Sequence, residues 1–345
     1  MKIVNVGLVG FGLSGKSFIA PFLHCNPGYN LAAIRSSREQ EIKELYLNVE
    51  IVQHEMELFQ NPALDLIIIS SPNETHFEFA KQALKHNKHV LIEKPFTISS
   101  HEAEELIVLS KEKDKVLTVF HNRRWDGDFL TVKKILNSNE LGDVAEFESH
   151  FDRYRPALDR SNWRSQLKPG GGMLYDLGPH LIDQAIALFG KPKALFADIR
   201  IVREEGETDD TFALFLFYHK LRVILKSSVL VKEPGPRFIV HGNKGSFVKY
   251  GLDPQEALLR EGKLPKTSEW GQDKEDNYGI LNTTSRDKIV TERGNYMGLF
   301  DNVYNAITEG KALEITPESA LETIRIIELA FESSKLRKVI NLAQA

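Results

Sequence analysis

Short apolar runs and amphipathic stretches alternate through about the first 120 residues of the chain. Val6–Val9, Leu31–Ile34, Asp65–Ile69, His89–Ile92 and Val116–Phe120 read as buried strands, and Glu74–His86 and Ser99–Asp114 carry the helical period between them. This alternation predicts a parallel, doubly wound α/β sheet. Further on the pattern changes to longer segments with alternating side chains: Val144–Phe151, Ala194–Val202, Phe212–Tyr218, Arg222–Val231 and Arg237–Tyr250, with His219-Lys220 as a hairpin turn. These predict a C-terminal α+β domain with a large, mostly antiparallel open sheet, one face under helices and the other available to a second subunit. Asp253–Arg293, rich in Gly, Pro, Asp and Lys, is expected to be an exposed excursion. Thr316-Pro317-Glu318 should start a last helix running to about Lys338, with Ala320, Ile324, Ile327 and Ala330 on its apolar side. The expected domains are residues 1–121, binding a dinucleotide, and 122–345, binding substrate and forming the oligomer, with the helix at about 317–338 packing back on the first.

The strand at Val6–Val9 runs into Gly10-Phe11-Gly12-Leu13-Ser14-Gly15-Lys16-Ser17. Gly10-x-Gly12-x-x-Gly15 is the dinucleotide fingerprint, in which the glycines allow a tight turn, close approach of a pyrophosphate and close packing of helix on strand. The same residues fit the phosphate loop of a nucleoside triphosphatase, with Lys16 on phosphate and Ser17 on magnesium. That chemistry needs a later strand ending in a magnesium-binding Asp. Leu66–Ile69 ends instead in Ser70-Ser71-Pro72-Asn73, which favours the dinucleotide. At the end of the second strand, where such folds read the ribose, stand Arg35, Ser36, Ser37 and Arg38. Guanidinium and hydroxyl donors suit a 2′-phosphate, so NADP is expected to bind and NAD to bind more weakly. A basic turn in solvent is the plainer alternative.

Composition narrows the setting. The 345 residues suggest two domains, and the net charge of −4 gives no reason to expect nucleic acid or an anionic membrane as partner. Met1-Lys2 leads straight into a strand without the apolar run of a secretory signal, so a cytoplasmic address is expected. The single cysteine, Cys25, excludes an intrachain disulfide, and no metal set is evident among the 11 histidines.

Three further motifs stand out: Glu93-Lys94-Pro95 after the fourth long strand, Ser71-Pro72-Asn73-x-x-His76 after the third, and Gly171-Gly172-Met173-Leu174-Tyr175-Asp176-Leu177-Gly178-Pro179-His180. With the N-terminal glycines they resemble the Gfo/Idh/MocA oxidoreductases across essentially the whole chain. His121–Asp126, Arg153–Pro156 and His241–Phe247 are similar to the NADP-dependent scyllo-inositol dehydrogenases of that family. The resemblance implies His180 as general acid/base, Asp176 as the group that binds the reacting hydroxyl and orients the histidine, and Lys94 as the cation on that oxygen. It further implies Asn73, His76, Glu93, Asn122, Trp163 and Arg164 beside the cofactor, Tyr154 and Arg155 in a polyol pocket, and a cis bond before Pro95.

The residue types support that chemistry. Oxidising a secondary alcohol needs a proton acceptor, a donor or cation for the developing alkoxide, and a fixed nicotinamide face. His180 has the unperturbed pKa nearest neutrality, Asp176 precedes it by one helical turn, and Lys94 follows the carboxyl end of a parallel strand, where open sheets place ligands. Each residue also has a structural alternative. Asp176 would cap a helix begun by Gly178-Pro179, His180 would sit satisfied in the core, and Lys94 would pair with Glu93. The expected activity is reversible oxidation of a cyclic polyol, scyllo-inositol foremost, by a homodimer or homotetramer. An aldose dehydrogenase, a non-catalytic NADPH sensor and a triphosphatase are the rivals.

Overall fold

The structure, a computed structural model, describes residues 2–159 and 167–342, and 44 residues from the second domain's expected start onward belong to the first unit. The chain forms two compact units: Met1–Asn122 with Gln255–Trp270 and Asn295–Leu321, and Arg123–Pro254 with Gly271–Gly294 and Glu322–Ala345.

The first unit begins β1 (Val4–Val9), α1 (Ala20–Cys25), β2 (Tyr29–Arg35), α2 (Glu39–Leu45), β3 (Glu50–Val52), α3 (Glu55–Gln60), β4 (Leu66–Ile69), α4 (His76–Lys85), β5 (His89–Ile92), α5 (Ser100–Glu112) and β6 (Leu117–Val119). The strands form a six-stranded sheet in the order β3-β2-β1-β4-β5-β6, every pair parallel. Such a sheet is covered on both faces, which is why Leu66-Ile67-Ile68-Ile69 and Val90-Leu91-Ile92 are buried throughout and show no alternation. The order reverses between β1 and β4, so the loops leaving their carboxyl ends open a crevice for ligand. A π-helical stretch, Gly15–Ile19, precedes α1, and the Ala20 N–H reaches back to the Gly15 carbonyl. Pro21 follows directly, and a proline there cannot donate to the normal ladder. α5 starts where the pattern predicts, at a capping box in which Ser99 accepts from Glu102 N–H and the Glu102 carboxylate accepts from Ser99 N–H, both at 3.3 Å.

The chain continues through α6 (Gly127–Ser138), β7 (Val144–His150), α7 (Met173–Phe189), β8 (Ala194–Arg200), β9 (Thr211–Phe217), β10 (Arg222–Ser228), β11 (Phe238–Gly242), β12 (Gly245–Lys249), α8 (Gln255–Arg260), β13 (Gly279–Asn282), β14 (Arg286–Ile289), α9 (Met297–Glu309), α10 (Pro317–Leu336) and β15 (Ile340–Asn341). The second unit holds a nine-stranded sheet, β14-β13-β12-β11-β7-β10-β9-β8-β15, antiparallel except for the β7–β10 pair. Phe147, Leu214, Leu216, Val223, Leu225, Phe238 and Phe247 are fully buried, and α7 packs on β9 and β10. Their alternating neighbours Phe196, Phe215, Phe217, Ile224, Ile239 and Val248 are only half-buried.

Two expectations from the pattern need correction. Arg237–Tyr250 is a hairpin, β11 and β12, because Asn243-Lys244 turns the chain between Gly242 and Gly245. Asp253–Arg293 is no exposed excursion: β13 and β14 extend the large sheet, while the side-chain Oε1 of Gln255 in α8 accepts from Trp270 Nε1–H at 3.1 Å and Tyr296 N–H at 2.8 Å inside the first unit. α9 belongs to that unit too, with Phe300 stacked on Phe22 at 5.2 Å and accepting from the Tyr29 hydroxyl at 2.7 Å. Short polar strands and one-turn helices leave little periodicity to read. The last helix has the predicted apolar side, Ala320, Ile324, Ile327 and Ala330 being buried. Among the described residues no helix is long and apolar enough to cross a membrane.

Candidate active site

In the first unit the three glycines behave differently, each as the fingerprint requires. Gly10 has φ +96°, and a Cβ there would lie 2.4 Å from the Ser70 carbonyl oxygen. A Cβ on Gly15 would lie 2.2 Å from the Gly10 oxygen, so only glycine lets the helix close on the turn. A Cβ on Gly12 would meet no protein atom within 4 Å, which leaves its backbone open to a ligand. Ser70 Oγ, buried next to this turn, has no hydrogen-bond partner among the described residues. A backbone cradle with one open glycine and an unsatisfied hydroxyl fits a dinucleotide pyrophosphate at a helix start.

Around the cradle, Ser14 hydroxyl donates to the Glu93 carboxylate, whose other oxygen accepts from Lys94 N–H at 2.6 Å. The Lys94–Pro95 bond is cis. His76 is fully buried, with Nδ1 2.8 Å from the Pro95 carbonyl and Nε2 3.1 Å from that of Ser71. Burial holds its pKa below the ordinary histidine value, and the neutral ring, which has one N–H, donates to one of these two carbonyls and packs against the other, between the turns after β4 and β5. Asn73 and Asn122 are both buried at the ends of strands β4 and β6. At the end of β2, Ser36 Oγ accepts from Arg38 N–H at 3.1 Å. The Arg35 guanidinium lies 3.7 Å from Glu55, and that of Arg38 lies 3.5 Å from Glu41, which also takes Lys16 at 2.6 Å. Lys16, with help from Arg38, holds the Glu41 carboxyl below the usual carboxylate range. Phe11 is buried against Tyr46, ring centroids 6.2 Å apart, and Leu13 is exposed.

In the second unit α7 carries Asp176 and His180 one turn apart. The helix starts at Gly172 and contains Pro179, so Asp176 does not cap a helix begun by Gly178-Pro179. The cap comes from the β8–β9 loop: Asp209 Oδ2 accepts from Leu174 N–H at 2.7 Å, and the Asp209 carbonyl accepts from Met173 N–H at 2.8 Å. Farther along, Arg124 grips Asp183 with two bonds at 2.8 and 2.7 Å. Gln184 donates to the Arg123 carbonyl at 2.8 Å and accepts from the buried Arg237 at 3.2 Å.

A cavity of about 170 Å³ opens beside the first turn of α7. Its polar walls are Arg153, Arg155, Asp159, Asp176, Arg203 and Asp209. Arg203 is held by Asp210 at 3.0 Å. Tyr154 is not among the lining residues: it bridges Leu230 and has Lys232 5.5 Å from its ring, on the opposite side from Arg153 and Arg155. In extended chain alternate residues face opposite ways, and Arg153 lines this cavity together with Arg155. His180 lies one turn deeper, buried. Arg203 and Asp209 were not singled out from sequence; the only trace was the pair Asp209-Asp210 just before a strand. Trp163 and Arg164 lie outside the described residues. Lys94 belongs to the first unit, Asp176 and His180 to the second.

A β3-β2-β1-β4-β5-β6 sheet with this glycine loop is a dinucleotide-binding domain, here followed by a domain with a small polar cavity. Residues 4–121 match the family model described as oxidoreductase family, NAD-binding Rossmann fold, and residues 133–342 match oxidoreductase family, C-terminal alpha/beta domain. The chain is 43% identical to the uncharacterized oxidoreductase YdgJ of Escherichia coli, covering 99% of both chains. It is 40% identical to scyllo-inositol 2-dehydrogenase (NADP(+)) IolW of Bacillus subtilis, covering 98% of this chain and 96% of that one. A solved oxidoreductase from Bacillus cereus superposes with a TM-score of 0.91 at 34% identity, covering 98% of each chain. The chain therefore belongs to the Gfo/Idh/MocA oxidoreductase family, and it is an oxidoreductase with a Rossmann NAD(P)-binding domain.

Proposed function

We propose that the protein is an NADP-dependent dehydrogenase that interconverts a cyclic polyol, scyllo-inositol foremost, and its ketone. The observation that carries this reading is the cavity beside α7, where guanidinium donors and carboxylate acceptors share one wall with Asp176. Such a mixture suits a neutral ring bearing many hydroxyls, each of which both donates and accepts. The size, about 170 Å³, suits one small ring and not a drug-sized ligand, whose pockets run to roughly 300–1,000 Å³. The 40% identity to a relative named for this activity supports the same substrate.

The glycine loop would hold the pyrophosphate, with Asn73, Glu93, Asn122, Trp163 and Arg164 nearby. Bound there, the nicotinamide supplies a hydride acceptor, or in reverse a donor. His180 takes the hydroxyl proton on oxidation and returns it on reduction. Asp176 accepts from the imidazole N–H and so orients the ring toward the reacting hydroxyl, and Lys94 stabilises charge developing on that oxygen. Arg35, Ser36, Ser37 and Arg38 favour the 2′-phosphate, although Glu55 and Glu41 already engage the two guanidinium groups. The half-buried apolar face of the large sheet supports a homodimer or homotetramer, and the substrate class fits a cytoplasmic enzyme.

The test is turnover of a panel of inositols and aldoses with NADP or NAD, followed at the nicotinamide absorbance. Scyllo-inositol with NADP should give the highest kcat/KM. Replacing Ser36 and Arg38 with Ala should weaken NADP by tenfold or more and NAD little, since each charge-assisted bond contributes roughly 1.5–3 kcal/mol. Preference for an aldose overturns the polyol, equal affinity for NAD and NADP overturns the 2′-phosphate reading, and NADPH binding without turnover of any substrate indicates a sensor.

A further inference from the structure

The β8–β9 loop supplies a carboxylate at the start of α7, the helix that carries Asp176 and His180. Two successive N–H groups of the first turn, Met173 and Leu174, end on the main-chain and side-chain oxygens of the same residue, Asp209. Gly172 is matched to this contact: its φ is +90°, and a Cβ there would lie 2.0 Å from Asp209 Oδ1. Asp209 also lines the cavity with Asp176. The next residue, Asp210, is occupied with Arg203 through its side chain, and its oxygens accept from Val202 N–H at 2.8 Å and Arg203 N–H at 3.1 Å, so the loop itself is braced.

We propose that Asp209 is a positioning residue, whose carboxylate anchors the first turn of α7 so that Asp176 faces the cavity and His180 follows in register one turn behind. This rests on the roles given above to Asp176 and His180. A carboxylate is the stronger anchor because an ionised acceptor forms the stronger bond and the helix start favours negative charge. Burial, with the neighbouring Asp210 adding to it, pushes the Asp209 carboxyl up to about 6, against the Leu174 bond, which lowers it. Among the described residues, the charged groups sharing its cavity are Arg153, Arg155, Asp159, Asp176 and Arg203. Below about pH 6 the carboxyl is protonated and the anchor becomes a neutral acceptor.

Asp209→Asn keeps an oxygen for Leu174 N–H and cannot titrate, whereas Asp209→Ala removes the anchor. The Asn variant is a neutral acceptor at every pH, so above pH 7 its kcat should fall about threefold below that of the unmodified protein, and the loss of Leu174 amide protection that the unmodified protein shows through about pH 6 should be absent from it. The Ala enzyme should lose roughly 10- to 100-fold in kcat with folding intact, as expected for misplaced reacting groups. Hydrogen exchange needs no substrate: the Leu174 amide should exchange at least tenfold faster in the Ala variant and near normally in the Asn variant. Normal kcat or normal Leu174 protection in the Ala variant overturns the proposal, as does a loss of Leu174 protection through about pH 6 that persists in the Asn variant. If no inositol is turned over by the unmodified protein, the proposed function fails while the exchange experiment still decides the anchor. If the Ala variant does not fold, the pH dependence of Leu174 protection in the Asn variant decides.

Discussion

His180 has 7% of its surface exposed and stands one turn beyond Asp176 on a helix held at its start by Asp209 and along its length at Asp183 and Gln184. A buried imidazole at such a place is either a packing residue or a proton carrier, and the two differ in what its removal does. His180→Ala should lower kcat by about 10² to 10⁴ and leave NADP affinity, read by fluorescence titration, nearly unchanged. Near-normal turnover with unchanged folding would return His180 to the core. His76 occurs in a motif that suggests cofactor contact, and its buried ring also stands between the Ser71 and Pro95 carbonyls, at 3.1 and 2.8 Å, where it links two turns. Lys16 is similar: a residue that could have served a phosphate loop is paired with Glu41 in α2.

At the scale of the element, α7 is fixed by contacts that its own sequence does not contain. Arg124 closes on Asp183 as a bidentate pair whose carboxylate is almost fully buried, and Arg237 reaches Gln184 from the sheet. Three guanidinium groups, those of Arg123, Arg153 and Arg237, lie 4.7, 5.1 and 5.2 Å from the centroid of the Phe151 ring, which gives this cationic cluster an aromatic floor. Removing one partner of a buried pair costs more than the pair contributes, because the other charge remains desolvated. Arg124→Met should therefore destabilise the protein by about 3 kcal/mol, read as a lower urea midpoint with unchanged slope. A change under about 0.5 kcal/mol would show that Asp183 is satisfied without the guanidinium. The Pro179 ring inside this helix removes a main-chain donor, and the helix nonetheless continues to Phe189.

For the whole molecule, the face of the nine-stranded sheet away from α7 carries half-buried Phe196, Phe215, Phe217 and Ile224, with Phe196 and Phe215 6.2 Å apart between centroids. An apolar face of this kind is usually covered by a partner, and a second copy of the chain would meet it symmetrically. Light scattering should give a homodimer or homotetramer, and Phe215→Lys should shift the population toward monomer. A monomer for the unmodified protein at all working concentrations would contradict the assembly.

The sequence alone determined the elements whose cause is local. A parallel strand buried on both faces must be apolar at every position, so Leu66–Ile69 and Val90–Ile92 could be read directly. The glycine fingerprint is equally local, since backbone angle and close approach exclude side chains at Gly10 and Gly15. The apolar side of α10 and the capping box at Ser99 follow from helical spacing. Only tertiary structure decided that Asp209 caps α7, that Arg153 and Arg155 line the cavity while Tyr154 does not, and that 255–270 and 295–321 return to the first unit. Each depends on residues far apart in the chain, and no period in the sequence encodes which distant loop will meet a helix end.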